Sequence, residues 1–312
     1  MENIIEVKNL EKSYKGKKAV KGISFCVGKG EVLGFLGPNG AGKSTTINIL
    51  STALGYDGGD IKFLGSKVDE DVIRVKRNIG VVPQDLAIYE DISTEKNVKF
   101  FASLYNLKGK ELQHRVEEAL KFVGLYEKRM DKPKTFSGGM KRRLNIACAI
   151  LHNPKLIIMD EPTVGIDPQS RNHILNSIKE LQKRGTTIIY TTHYMEEVEE
   201  IADRIIIMDN GQIIAEGTKE ELKREIEDER IYSIDIANTE ELKKEDFFKI
   251  EGVKDVVISE GTVKIKSLNT VENLDKLILT MMNKQCKIQN ITSTLASLEM
   301  VFLNLTGKSL RD

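Results

Sequence analysis

Short apolar and alternating runs punctuate the first part of the chain. Ile4 to Leu10, Ala19 to Val27, Glu31 to Leu36, Asp60 to Leu64 and Ile79 to Val82 read as strands, several of them separated by glycine-containing turns. Further on the pattern changes. Leu156 to Asp160, Thr187 to Thr191 and Arg204 to Met208 are apolar strands separated by helical segments over Pro168 to Arg184 and Tyr194 to Ala202, which is parallel-sheet alternation. Between the two blocks, Ser93 to Leu107, Glu111 to Val123 and Gly138 to His152 carry helical spacing. Residues 1 to 224 are therefore expected to form one α/β domain with a helical insertion.

Past Gly217 the chain becomes densely charged, with Glu220, Glu221, Lys223, Arg224, Glu225, Glu227, Asp228, Glu229 and Arg230 in close succession, which reads as a solvated helix and linker. Beyond it come strand Ile231 to Ala237, helix Thr239 to Phe248, strands Val253 to Ser259 and Thr262 to Lys266, helix Val271 to Asn283 and strand Cys286 to Ile291. That βαββαβ order is ferredoxin-like and predicts a small α+β domain over 225–312. A last helix, Thr294 to Leu305, would put Leu295, Leu298, Val301, Phe302 and Leu305 on one face, buried within the small domain or in a dimer contact.

Composition narrows the partners. Among 312 residues, 47 basic and 47 acidic side chains cancel, so no overall field favours nucleic acid or an acidic membrane face. Cys26, Cys148 and Cys286 have neither paired nor metal-like spacing and read as reduced thiols of a cytosolic protein. The first residues lack a signal-peptide core, and apolar stretches such as Leu156 to Met159 and Ile205 to Met208 are far short of a span.

The chemistry concentrates in Gly37-Pro38-Asn39-Gly40-Ala41-Gly42-Lys43-Ser44-Thr45, which follows a strand and satisfies G-x-x-x-x-G-K-[ST]. The glycines let the backbone curl so that successive N–H groups point inward, and a helix over Lys43 to Leu54 adds its positive end. Lys43 can reach the outer phosphates of a nucleotide, Ser44 can ligate Mg²⁺ and Thr45 can donate to a phosphate oxygen.

Other parts of a phosphoryl-transfer site follow. Leu156 to Glu161 is an apolar strand ending in two acids, where alternation sends Asp160 toward a metal's hydration shell and Glu161 elsewhere, as a general base for water; strand-end acids facing solvent are the alternative. His193 would stand at the same carboxyl edge of the sheet, poised for the γ-phosphate or merely structural. Gln84 is an amide that can touch Mg²⁺ or the lytic water, and Tyr14 can stack on adenine or pack as a strand-end aromatic. Ser137-Gly138-Gly139 opens a helix and makes a second anion-binding terminus, although capping alone accounts for it.

Taken together these motifs resemble the nucleotide-binding subunit of an ATP-binding cassette (ABC) transporter. Tyr14 matches the aromatic A-loop, Gly37 to Thr45 the Walker A loop, Gln84 the Q-loop, Phe136-Ser137-Gly138-Gly139-Met140 the signature, Leu156 to Glu161 the Walker B strand, Val164-Gly165-Ile166-Asp167 the D-loop and His193 the switch histidine. The resemblance implies a P-loop NTPase core with an antiparallel β-subdomain and a helical subdomain. It also implies ATP and Mg²⁺ as ligands, a metal held by Ser44, Gln84 and Asp160, and catalysis by Glu161, Gln84 and His193. Two copies would pack head to tail, so that Ser137, Gly138 and Gly139 of one meet the γ-phosphate held by Lys43 of the other.

Phe136 and Met140 depart from the usual Leu and Gln of the signature. The string SGGMKRRL and the ending SLEMVFLNLTGK resemble the ABC-2 drug- and antibiotic-export branch, with which the basic triplet Lys141, Arg142 and Arg143 also fits, helix-surface solvation accounting for it equally well. The implied partners are a separate integral membrane permease, docked on the region from Asp85 to Leu107, and a second ATP-binding subunit as a homodimer, with no nucleic acid. The implied location is the cytoplasmic face of the membrane, and the cargo a drug, antibiotic, lipid or related molecule. A non-transport ABC ATPase acting on ribosomes or nucleic acid is the alternative; the chain's single cassette and cancelled charge weigh against it.

Overall fold

The computed structural model describes residues 2–224, 229–237, 242–259, 261–295 and 298–306. The chain divides into two compact units, Met1–Glu216 and Gly217–Ser309. The first unit runs β1 (Asn3–Tyr14), β2 (Lys17–Gly28), β3 (Val32–Leu36), α1 (Lys43–Leu50), β4 (Gly58–Phe63), β5 (Ser66–Lys67), α2 (Val72–Asn78) and β6 (Ile79–Val82). It continues through α3 (Thr94–Leu104), α4 (Gly109–Phe122), α5 (Gly138–Ile150), β7 (Leu156–Asp160), α6 (Pro168–Lys183), β8 (Thr187–Thr192), α7 (Met195–Ile201), β9 (Arg204–Asp209) and β10 (Gln212–Gly217).

Two sheets result. An antiparallel sheet has the order β2-β1-β4-β5, and a six-stranded sheet has the order β10-β9-β3-β8-β7-β6, with β9, β3, β8, β7 and β6 mutually parallel. The parallel strands are mostly apolar, in unbroken runs such as Leu156 to Met159 and Ile205 to Met208, because both faces of the sheet are covered. Leu156 and Ile158 enter the core shared with the antiparallel sheet, where Leu10, Val20, Phe25, Leu33 and Ile47 also lie. Ile157 and Met159 point the other way, into a core built with Val98, Leu120, Leu144, Ile146 and Ile174 of the helices. All these strands therefore end at one edge, where the loops meet.

Sequence and structure differ in places. The helix expected over Lys43 to Leu54 stops at Leu50, and Thr52 has φ 61°, a left-handed conformation that a β-branched residue rarely adopts. Of the short elements, β5 pairs with β4 and β10 with β9, and α2 starts at Asp71, whose side chain accepts from the Arg74 amide.

The second unit contains α8 (Lys219–Arg224), β11 (Glu229–Ile236), α9 (Lys244–Phe248), β12 (Val253–Ser259), β13 (Thr262–Leu268), α10 (Leu274–Asn283), β14 (Ile288–Leu295) and α11 (Leu298–Thr306). Its antiparallel sheet has the order β12-β13-β11-β14, with Tyr232, Ile234, Val263 and Ile265 packed against Phe247, Leu277 and Met281 of the helices. The charged run at 225–228 and the helix start expected at 239–241 lie outside the described residues. Thr294 and Leu295, expected in the last helix, extend β14 by pairing with β11 instead. Of the apolar face expected for α11, Leu298, Val301 and Phe302 are buried but Leu305 is exposed, and the side chain of Leu295 is outside the description.

Candidate active site

The loop after β3 is shaped by close backbone approaches. A Cβ on Gly37 would collide with the carbonyl of Met208 in β9, and one on Gly42, whose φ is +103°, would stand 2.7 Å from the carbonyl of Ala19. Only glycine fits either position. Lys43, 4% exposed, turns back under the loop, and its Nζ donates to the carbonyls of Gly37 at 2.6 Å and Pro38 at 3.2 Å. The loop is thus curled around the Lys43 ammonium.

Above it lies a cavity of 430 Å³ lined by Asn39, Gly40, Ala41, Gly42, Lys43, Ser44 and Thr45, with Tyr14, Gln84 and Glu161 on its walls. Gly37 and Pro38 shape the loop from beneath. Lys17, Lys18, Ala19, Lys21 and Asn210 complete the lining, and no motif pointed to them. The available signal is the hairpin: β1 and β2 pair Tyr14 with Lys17 and Lys12 with Val20, which brings the basic stretch after Tyr14 to the same rim. A cavity with this many N–H and ammonium donors suits a polyanion carrying an apolar ring.

The two acids at the end of β7 diverge because of a turn, not because of strand alternation. Asp160 ends the strand and Glu161 has φ 45°, so the chain swings left-handed at the first residue outside the sheet. Thr191 in β8 anchors both. Its Oγ1 donates to Asp160 Oδ1 at 2.5 Å and accepts from the Glu161 amide at 2.9 Å. Ser44 Oγ donates to the same Asp160 oxygen at 3.4 Å.

Glu161, 6% exposed, gathers three side chains from separate elements. Lys43 Nζ is 3.7 Å from its Oε1, His193 Nδ1 is 3.5 Å from Oε1, and Gln84 Nε2 is 3.5 Å from Oε2. The His193 contact falls short of a hydrogen bond, leaving that buried nitrogen without a hydrogen-bond partner. Burial outweighs the Glu161 and Asp160 carboxylates and lowers the pKa of Lys43 below its ordinary value. Ser44, Asp160 and Gln84 offer oxygen donors only, a set suited to a hard cation completed by phosphate and water. Among the described residues no group of three or more His, Cys, Asp or Glu could hold a metal ion unaided.

The remaining motif residues stand elsewhere. Ser137 caps α5 by accepting from the Met140 amide at 3.3 Å, and Asp167 caps α6 by accepting from the Ser170 amide at 2.9 Å, a bond that lowers the pKa of its exposed carboxyl. A Cβ on Gly139 would collide with the Ser170 side chain, so this glycine lies against α6. Ser137, Gly138, Gly139 and Asp167 line no part of the cavity described above. The two signature departures are apolar for a reason: Phe136 and Met140 pack against the helical core.

The protein-family profile described as "ABC transporter" matches residues 20–164. The chain is 42% identical over 313 residues to the linearmycin resistance ATP-binding protein LnrL of Bacillus subtilis, covering 99% of this chain and 100% of that one. Among solved structures, cbiO1 from Clostridium perfringens, part of the ABC transporter complex cbiONQ, superimposes with a TM-score of 0.66 and 32% identity over 72% of this chain and 95% of its own. The ATP-binding cassette MJ0796, a dimer in a post-hydrolysis state bound to ADP and Pi, gives a TM-score of 0.63 and 28% identity over 69% of this chain and 98% of its own. A phosphate loop, two strand-end acids and a likeness running the length of the chain lead to one assignment: the protein belongs to the ABC transporter family, as one of its ATP-binding, ATP-hydrolysing subunits.

Proposed function

We propose that this chain binds MgATP in the cavity above Lys43, pairs head to tail with a second ATP-binding subunit, a copy of itself, and drives a separate integral membrane permease of the ABC-2 drug- and antibiotic-export type. The observation that carries this reading is the convergence of Lys43, Gln84 and His193 on the buried carboxylate of Glu161, at the mouth of a glycine-shaped anion loop. Tyr14 stacks on the adenine, and the amides of Gly40 to Thr45 with Lys43 hold the phosphates. Ser44, Asp160 and Gln84 are the residues that would hold Mg²⁺, which supplies charge neutralisation on the phosphates when bound. Glu161 accepts the proton of the attacking water, His193 faces the γ-phosphate, and Gln84 orients the water.

Ser137, Gly138 and Gly139 then act in trans on the partner's nucleotide, with Asp167 beside them. Their placement on a helix cap away from their own chain's cavity supports that division. Export of a drug or antibiotic is favoured by the likeness to a linearmycin resistance protein. Among the described residues no helix is long and apolar enough to cross a membrane, so the transport path belongs to the permease, on whose cytoplasmic side this subunit would sit. Leu86, Tyr89, Phe100 and Leu104 expose apolar surface between Asp85 and Leu107, where the permease would dock, and Tyr89 packs edge-on against Phe100 with ring centroids 5.1 Å apart.

The test is Glu161→Gln. It should leave ATP affinity intact, lower kcat by roughly 10²–10⁴-fold and accumulate an ATP-bound dimer on size-exclusion chromatography. Turnover at the wild-type rate would remove Glu161 from the mechanism.

A further inference from the structure

The basic triplet on α5, which helix-surface solvation could explain from sequence, is split by the structure into three environments. Lys141 Nζ pairs with Glu90 Oε1 at 2.7 Å, and Arg143 Nη1 donates to the Val123 carbonyl at 2.9 Å. Arg142 is different. It is 5% exposed, and its guanidinium donates through Nη1 to the carbonyl of Pro83 and through Nη2 to the carbonyl of Gln84, both at 2.7 Å.

Two consecutive carbonyls on one guanidinium constrain the path of the chain. In extended backbone such carbonyls point to opposite sides, so a fork that reaches both requires the segment leaving β6 to curl around it. That curl decides where the side chain of Gln84 goes, and its Nε2 lies 3.5 Å from Glu161 Oε2. The arrangement is not free: burial lowers the pKa of Arg142, and its Nε has no hydrogen-bond partner. A buried cation with one donor unsatisfied persists where its two short charge-assisted bonds hold something in place.

We propose that Arg142 is a positioning residue for ATP hydrolysis: its fork clamps the backbone of Pro83 and Gln84 so that the Gln84 amide is presented to Glu161 in the nucleotide cavity. The clamp is anchored in α5, the same helix that Ser137 caps, so the Q-loop backbone and the signature terminus of one chain are joined by a single side chain. This rests on the reading of Gln84 and Glu161 as parts of an ATP-hydrolysing site.

Arg142→Met, Arg142→Lys, Gln84→Ala and the double variant Arg142→Met/Gln84→Ala test it by steady-state ATP turnover. Arg142 does not line the cavity, so KM for ATP should stay within about threefold in the Arg142 variants, while kcat falls by about tenfold to a hundredfold. Lysine restores charge but carries its donors on one nitrogen, without the planar fork that spans both carbonyls, so Arg142→Lys should recover only part of the loss. It also keeps the test open should Arg142→Met fail to fold. The double variant should be no slower than Gln84→Ala alone, because the clamp acts through Gln84.

Turnover within about twofold of wild type in both Arg142 variants would overturn the proposal, as would losses that multiply in the double variant. Binding of a fluorescent ATP analogue by the wild-type chain separates the two failures. No binding removes the nucleotide reading itself, and normal binding with unimpaired Arg142 variants removes only the clamp.

Discussion

Thr191→Val isolates the residue that holds both Asp160 and Glu161. Valine is nearly isosteric with threonine, so no cavity contributes, and Thr191 is fully buried. It removes the 2.5 Å bond to the Asp160 carboxylate, worth about 1.5–3 kcal/mol as a charge-assisted interaction. It also removes the 2.9 Å acceptor for the Glu161 amide, a loss of roughly 0.5 kcal/mol because that amide retains the Thr191 carbonyl at 3.2 Å. The extra apolar group returns about 0.8 kcal/mol. The net expectation is a destabilisation of about 2 kcal/mol in urea unfolding at neutral pH, with kcat lowered about tenfold as Asp160 loses its anchor. Thr191→Ser keeps the hydroxyl and should lose about 1 kcal/mol with turnover close to wild type. A serine variant as inactive as the valine one, or a valine variant destabilised by less than about 0.5 kcal/mol, would refute the assignment of the hydroxyl.

Further outcomes follow from packing. Burial lowers the pKa of His152 from 6.5 to about 4, its ring stacked on Tyr105 at 3.6 Å between centroids with Nε2 3.2 Å from the Ile79 carbonyl. The unfolded chain therefore takes up this proton first, so stability is full above about pH 6.5 and falls as pH drops toward 4, by at most about 3 kcal/mol; urea titrations of His152→Phe should lack that component. Thr52 combines φ 61° with a buried hydroxyl that has no hydrogen-bond partner, so Thr52→Gly should raise the urea midpoint by the equivalent of about 1 kcal/mol, and a lowered midpoint would contradict the strain.

The elements that sequence pattern predicts well here are the fully buried ones. The apolar runs of β6, β7, β8 and β9 have bounds close to those read from periodicity, because most residues in them face one core or the other. Elements whose ends depend on a neighbour are shifted: β14 continues into Thr294 and Leu295 because β11 offers a pairing edge, and α1 stops early at the left-handed Thr52. Among site residues, the loop from Gly37 to Thr45 was legible because its members are contiguous and their φ values and close approaches demand glycine. Thr191 and Arg142 were not, since a threonine in a strand and an arginine in a helix carry no spacing that marks what their donors touch.

The sequence alone carried the phosphate loop, the strand-end acids and the family resemblance, all of which depend on local order along the chain. The tertiary structure decided the rest. It brought Lys43, Gln84 and His193 to Glu161 from distant segments, put Lys17 and Lys21 on the rim beside Tyr14, and aimed Arg142 at the Pro83 and Gln84 carbonyls. The physical reason is that backbone conformation and capping act over a few residues and leave a trace in the local pattern, whereas charge pairing and buried hydrogen bonds act between groups that only packing makes neighbours.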